Sequence, residues 1–272
     1  MKMAEKETPG KPKILVEALP EELEAIEKTI EEEIKEAPAK RLTRAEFTAQ
    51  KEKETRERSI ASWAPKTEIG KKVKSGELKD IDEILEKGKK ILEAEIVDSL
   101  LKLEIDLLSI GQSKGKFGGG KRRAWRQTQK KTMEGNVTTF SCMAVVGDRK
   151  GHVGLGIGKS QETLPSRDKA VRNAKLNLIK VIRGFESPEH EKDKSDPHTV
   201  PFKVTGKCGS SKVTLIPAPR GTGLVIGNEC KKILRLAGIK DVYSMTLGQT
   251  RTTINMAKAC VDALVKLREF KV

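Results

Sequence analysis

The chain has 272 residues, enough for about two domains that each bury a core. Its 54 Lys and Arg against 39 Asp and Glu leave a formal net charge of +15, which points to an acidic partner. No apolar run approaches the roughly 20 residues that span a bilayer and the N-terminus lacks the apolar core of a signal peptide, so no membrane is expected and the sequence reads as cytoplasmic. The charge is unevenly spread. Residues 1–40 carry 7 basic and 11 acidic groups, net −4; residues 96–200 carry 20 and 12, net +8; residues 201–272 carry 13 and 4, net +9. Cys142, Cys208, Cys230 and Cys260 stand far apart with no C-x-x-C pair, and His152, His190 and His198 are scattered, so neither a metal site nor a disulfide framework is expected. Three of the cysteines, Cys142, Cys230 and Cys260, sit in apolar patterns and read as small buried hydrophobes.

Residues 1–62 form a charged extension, disordered over 1–13 by composition and extended or weakly helical over 41–62. Between 20 and 35, Leu23, Ile26, Ile30 and Ile34 recur at helical spacing, a narrow stripe that needs a partner. Order is expected to begin near Trp63. Residues 63–95 show a Pro-containing turn, short elements punctuated by Gly70 and Gly76, and a helix with Ile81, Ile84 and Leu85 on one face.

The first domain is expected over 96–184, opening with a helix that passes into a strand. There follows GQSKGKFGGGKRRAWRQTQKKTMEGN, residues 111–136, with eight cations (Lys114, Lys116, Lys121, Arg122, Arg123, Arg126, Lys130 and Lys131) against Glu134 alone. A packed core cannot hold such a segment, whereas RNA can: cations neutralise phosphate, and Phe117 and Trp125 can stack on unpaired bases. A solvated basic loop is the plainer alternative. Val137–Val146 reads as a strand, Gly147–Gly151 as a hairpin turn, and His152–Ile157 as the returning strand. Its alternate glycines mean that something passes close by, either a helix or an RNA backbone. Pro165 opens a helix with Val171, Ala174, Leu178, Val181 and Ile182 on its core face, leaving Lys169, Arg172, Lys175, Lys180 and Arg183 for solvent or phosphate.

Residues 185–198 read as a polar linker. The second domain, 199–272, reads as strand (Thr199 to Thr205), turn, strand (Ser211 to Ile216), a glycine-bearing connection, helix, strand and helix. Leu224, Cys230, Ile233, Leu234 and Ala237 should bury from the first of these helices, with Gly238 ending it. Ile254, Ala257, Cys260, Val261, Leu264 and Leu267 should bury from the second. The connection APRGTGLVIG lacks the Lys-Ser/Thr ending of a phosphate-binding P-loop, and the glycines of GLGIGKS have strand spacing. No Ser or Cys nucleophile has a credible His beside it, so no catalytic residues and no cofactor are expected.

The run TFSCMAVVGDRKGHVGLGIGKSQETLPSRDKAVRNAKLNLIKVIRG, followed by PHTVPFKVTGKCGSSKVTLIPAPRGTGLVIGNECKKILRLAGIKDVYSMTLGQTRTTINMAKACVDAL, resembles the small ribosomal subunit protein five family in its archaeal and eukaryotic branch, over about residues 63–268. The resemblance implies an α+β fold: a double-stranded-RNA-binding-like domain, then a β/α domain with a left-handed crossover. It implies a structural constituent of the small subunit that binds small-subunit rRNA, contacts ribosomal protein four, with proteins three and eight as further candidates, and contributes to decoding accuracy. It also implies contact with mRNA where the message enters the subunit. The family's rRNA-contacting loop maps to Gln129 through Asn136. A Gly-Gly pair of the bacterial pattern is replaced by Glu134-Gly135, a departure that bears on the drug-related contact there. Trp125, Gln129, Asn136, Arg149, Lys150, His152, Lys159, Arg220 and Arg251 join the eight cations above as candidate RNA-binding residues. A free-standing RNA-binding regulator and a phosphotransferase built on the second domain remain as other classes.

Overall fold

One strand decides the layering of the first half, because its residues are apolar on both sides. In the computed structural model, which describes residues 54, 57–58, 60–113, 122–186 and 196–269, the first half folds as helices α1 (Glu68–Lys74), α2 (Asp82–Glu86) and α3 (Ala94–Leu100) and strands β1 (Glu104–Leu107), β2 (Trp125–Thr132), β3 (Gly135–Gly147) and β4 (His152–Ser160). Helix α4 (Thr163–Leu176) and strand β5 (Leu178–Lys180) complete it. The sheet runs β1-β3-β4-β5, all antiparallel, with β2 also pairing β3. Met143 and Val145 of β3 face a core shared with the C-terminal elements, while Ala144 and Val146 face α4 and the helices before β1. Burial on both faces is why this stretch reads as an unbroken apolar run.

Gly154, Gly156 and Gly158 decide the question their spacing raised. A Cβ at any of them would overlap the backbone of α4, at Ala174, at Asn173 and Ala170, and at Ser166. Ser166, Ala170 and Ala174, all fully buried, are the small residues of the helix face that lies there. The backbone passing close to β4 is therefore a helix.

Helix α4 is shorter at its end than the sequence predicts. Asn177, at φ −101° and ψ 41°, leaves the helical region, and the chain turns back so that Leu178–Lys180 pair with His152–Gly154. Leu178 and Val181 reach the core from that strand and the residue after it, and Ile182 is exposed. Tertiary pairing has overridden a helical spacing.

The order expected from Trp63 is present. Its indole N–H donates to the Glu93 carboxylate at 2.7 Å, and the same carboxylate accepts from the backbone of Lys66 and Thr67. Ile81, Ile84 and Leu85 are buried, as their spacing predicts, in a cluster with Val146 and Leu178.

The second half comprises β6 (Val204–Cys208), β7 (Ser211–Ile216), β8 (Leu224–Val225), α5 (Asn228–Ala237), β9 (Val242–Leu247) and α6 (Thr253–Glu269), with sheet order β6-β7-β9-β8. Strands β8 and β9 are parallel and joined through α5. The first strand begins at Val204 and not at Thr199, which only bridges Gly184. Pro201, without an N–H, cannot sit inside a ladder. Leu224 lies in β8, since α5 starts after its N-cap Gly227, and Gly238 ends α5 in the left-handed region at φ 84° as predicted. Ala257, Cys260, Leu264 and Leu267 of α6 are fully buried, and Ile254 and Val261 partly so. Residues 56–272 pack as one unit, with Met143 and Val153 in the same hydrophobic cluster as Leu215, Ile233 and Leu264. The expectations for residues 1–53, including the striped helix between 20 and 35, lie outside the described residues, as do those for residues 114–121 and 187–195. Among the described residues no helix is long and apolar enough to cross a membrane.

Candidate nucleic-acid interface

The residues WRQTQKKT, read from sequence as part of a basic loop, form strand β2. All eight are exposed, so no apolar alternation marks the strand, and the period that announces a half-buried strand is missing. Strand β2 pairs with Gly135–Cys142 of β3, but β4 joins β3 only from Phe140 onward. Residues 128–139 thus extend beyond the sheet as a two-stranded ribbon, turned at Met133-Glu134, with Trp125–Gln127 at its root inside the sheet. Hydroxyls of Thr128 and Thr139 meet across it at 2.8 Å, and the Thr132 hydroxyl donates to the Gly135 carbonyl at 2.9 Å. A lone two-stranded hairpin is marginal in water. This one carries cations where a free-standing hairpin would need apolar pairs.

Register sorts the candidate residues by face, because residues directly opposite in an antiparallel pair lie on the same side. Arg126 stands opposite Ser141, which on its other edge stands opposite Lys159, so two cations flank a serine in one row across three strands. Lys130, opposite Val137, shares that face. Trp125, Gln129, Lys131 and Asn136 lie on the other, with Lys131 directly opposite Asn136. Trp125 is 39% exposed. At the base of the ribbon Arg122 bridges Ser113, and the backbone of Arg123 pairs with Gly111 and Gln112. Lys114, Lys116 and Lys121 lie outside the described residues.

The remaining candidates are placed elsewhere. Arg149, in the β3–β4 turn at φ 60°, donates to the Glu104 carboxylate at 2.9 and 2.6 Å on the exposed surface. Lys150 beside it is exposed. His152 is committed within the chain: its Nδ1 lies 2.7 Å from Asp148 and its Nε2 2.7 Å from Asp82, and its side chain is 12% exposed. Burial acts to lower its pKa, but hydrogen bonds to Asp148 and then Asp82 outweigh this and raise it above the ordinary value. For Asp82 and Asp148 burial acts upward and is outweighed by bonds from Lys180 and His152, and from His152 and backbone N–H groups, so both are lowered. Arg220 and Arg251 are exposed in the second half, in the turns after β7 and before α6.

Four cations expected to be free are engaged, Arg172 with Glu95 at 3.9 Å among them. Lys175 pairs with Asp98 at 2.7 Å, Lys180 with Asp82 at 2.7 Å and Glu86 at 3.0 Å, and Arg183 donates to the Lys150 carbonyl at 2.9 Å. Lys175 and Lys180 hold the segment before β1 against α4 and β5. Another cluster was missed from sequence. Arg149, Lys150 and Arg183 converge with Lys231, Arg235 and Lys240 on a cleft of about 750 Å³ between the two halves. The only trace of it in the sequence is Lys231 and Arg235, one turn apart on the polar face of α5.

Residues 121–182, which include the ribbon, match the family described as Ribosomal protein S5, N-terminal domain, and residues 206–272 match Ribosomal protein S5, C-terminal domain. Over 215 residues the chain is 47% identical to the small ribosomal subunit protein uS5 of Nanoarchaeum equitans, spanning 79% of this chain and 91% of that protein. This chain belongs to the uS5 family. It is also 49% identical over 214 residues to the uS5 protein of Methanosphaera stadtmanae, spanning 78% of this chain and 87% of that one. With uS5 of Thermofilum pendens the identity is 44% over 209 residues, spanning 76% and 95%. The archaeal-type resemblance read from the residues is thereby shown, and with it the α+β class. The uS5 proteins form a structural family, not an enzyme family.

Proposed function

We propose that this chain is a structural constituent of the small ribosomal subunit, works in the cytoplasm where that particle works, and binds small-subunit rRNA through the β2–β3 ribbon and its base. One observation carries the interface: a strand exposed along its whole length, which runs out past its sheet from Thr128 with its β3 partner and presents Arg126 and Lys130 on one side and Trp125 and Lys131 on the other. Cations on both faces suit insertion against RNA, where phosphate contacts fix position and the ring can stack on an unpaired base. Arg122, Arg123, Gln129, Asn136 and Lys159 extend this surface, and Lys114, Lys116 and Lys121 join it by sequence. Arg220 and Arg251 are the phosphate contacts proposed for the second half. The names of the relatives, small ribosomal subunit protein uS5, support the particle.

Contacts with ribosomal protein four, with proteins three and eight as further neighbours, with mRNA where it enters the subunit, and an influence on decoding accuracy complete the reading. An apolar row on the open face of the second sheet suits a protein neighbour: Val225, Tyr243, Met245 and Leu247 are between 42% and 54% exposed. Replacing Arg122, Arg123 and Arg126 together by Ala should lower co-sedimentation with small subunits on a sucrose gradient while the melting temperature stays unchanged. Full co-sedimentation of the triple variant would refute the assignment of the ribbon.

A further inference from the structure

We infer that the cleft between the two halves is a second RNA-anchoring site, which takes the phosphodiester backbone of a single RNA strand. The inference rests on the RNA-binding reading above and adds to it a place and a strand type. Six cations line the cleft, Arg149, Lys150 and Arg183 from the first half and Lys231, Arg235 and Lys240 from the second, against the single carboxylate of Asp196. Arg149 is paired with Glu104, but among the described residues no carboxylate lies within ion-pair distance of Lys150, Lys231, Arg235 or Lys240, so most of the charge is not consumed internally.

Two features make the cleft a built site. Its walls are fixed to one another: the Arg149 N–H donates to the Leu236 carbonyl at 2.9 Å, the Arg183 guanidinium donates to the Lys150 carbonyl, and a Cβ at Gly238 would overlap the Arg149 carbonyl. The cations are therefore held at a set spacing across the junction of the two halves. Its floor carries apolar surface from Pro197, Leu224 and Ile239, on which sugars and bases can lie while the cations meet phosphate. A volume of about 750 Å³ is that of a small-molecule pocket, which admits one or two nucleotides of a strand and excludes a duplex. Lys231 and Arg235 repel each other one turn apart on α5, and a polyanion in the cleft removes that repulsion.

The test is fluorescence anisotropy of the full chain with a labelled oligouridine across a salt series. The double variant Lys231→Ala/Arg235→Ala should weaken binding and flatten the dependence of log affinity on log salt by about 1.4, roughly 0.7 for each cation lost on a single strand. The charge-preserving pair Lys231→Arg/Arg235→Lys should keep both, which separates charge from folding. A cleft variant that binds with unchanged affinity and slope, while Arg126→Ala/Lys130→Ala binds weakly, would sink the inference and leave the ribbon reading standing. If neither variant changes binding, the RNA reading itself fails. Oligoglutamate that competes as well as RNA of equal charge would make the occupant an acidic protein segment and overturn the proposal. A photoreactive group at position 240 in assembled subunits should crosslink to rRNA or to message, which distinguishes the two sources; crosslinks to protein alone would count against both.

Discussion

His152 and Asp82, 70 residues apart in sequence, meet at 2.7 Å, and the same imidazole holds Asp148 at 2.7 Å with its other nitrogen. One ring thus fastens helix α2 to the β3–β4 turn. Lys180 and Glu86 are the other charges at this contact, with Lys180 also 2.7 Å from Asp82.

The clamp should make stability depend on pH in a stated direction. A raised His152 pKa means that its contribution is fully present below about 6.5 and is lost as pH rises through the folded-state value. The lowered Asp82 and Asp148 act at the other end: their contribution is present above about 3.8 and lost as pH falls through their folded-state values. His152→Ala should therefore cost about 1.5–3 kcal/mol near pH 6, the range for hydrogen bonds to charged groups, and less near pH 9. Melting curves of both proteins across this range check it; a gap that widens toward high pH would contradict the clamp.

Close approach of α4 to β4 sets a second expectation. Because a Cβ at Gly156 would overlap the backbone at Ala170, Asn173 and Ala174, Gly156→Ala should force the helix off the sheet, at a cost of about 1–3 kcal/mol for overpacking. At Gly76, where a Cβ would meet nothing within 4 Å, the strain of a positive φ is the only penalty, and Ala should cost less. Urea denaturation of the two variants, read as midpoint shifts, compares them directly.

How much of this was legible depends on where each residue's partner lies in the chain. The hairpin turn Gly147–Gly151, Gly238 as a helix end and the buried faces of α5 and α6 were readable because their causes are local: turn chemistry, a left-handed φ and a 3.6-residue period. Strand β2 was not readable, since a strand exposed on both faces has no period to show. The end of α4 was misread because Leu178 continues a helical spacing while its partner, Gly154, lies in another strand. Lys175, Lys180 and His152 looked like free polar groups because the carboxylates that engage them, Asp98 and Asp82, come from a segment that packs only in three dimensions. The cleft cations were hidden for the same reason, being gathered from both halves.

The Lys175–Asp98 pair yields a sharper contrast. With side chains 16% and 14% exposed, the pair is largely withdrawn from water, so removing Lys175 takes a hydrogen-bonded cation 2.7 Å away from a carboxylate that water barely reaches. Lys175→Ala should cost about 1.5–3 kcal/mol, the range for a hydrogen bond between charged groups, whereas Lys169→Ala, on the exposed side of the same helix, should stay within about 0.5 kcal/mol. Replacing both Lys175 and Asp98 by Met should restore much of the loss. Thermal denaturation of the three variants settles the comparison, and equal effects at positions 169 and 175 would show that the pair carries no weight.

The two faces of the ribbon can be separated by substitution, because none of its β2 side chains supports a core. Arg126→Ala/Lys130→Ala empties one face of cations; Trp125→Ala/Lys131→Ala removes the ring and the cation from the other. If RNA embraces the ribbon, both pairs weaken binding to a small-subunit rRNA fragment. Their signatures differ, however: losing two phosphate contacts lowers the salt slope by about two on a duplex, against about one for the second pair, whose stacking loss is independent of salt. Anisotropy titrations over a salt series resolve the two. Loss confined to the first pair would mean that RNA lies only along the side shared with Lys159, and that Trp125 serves the protein alone.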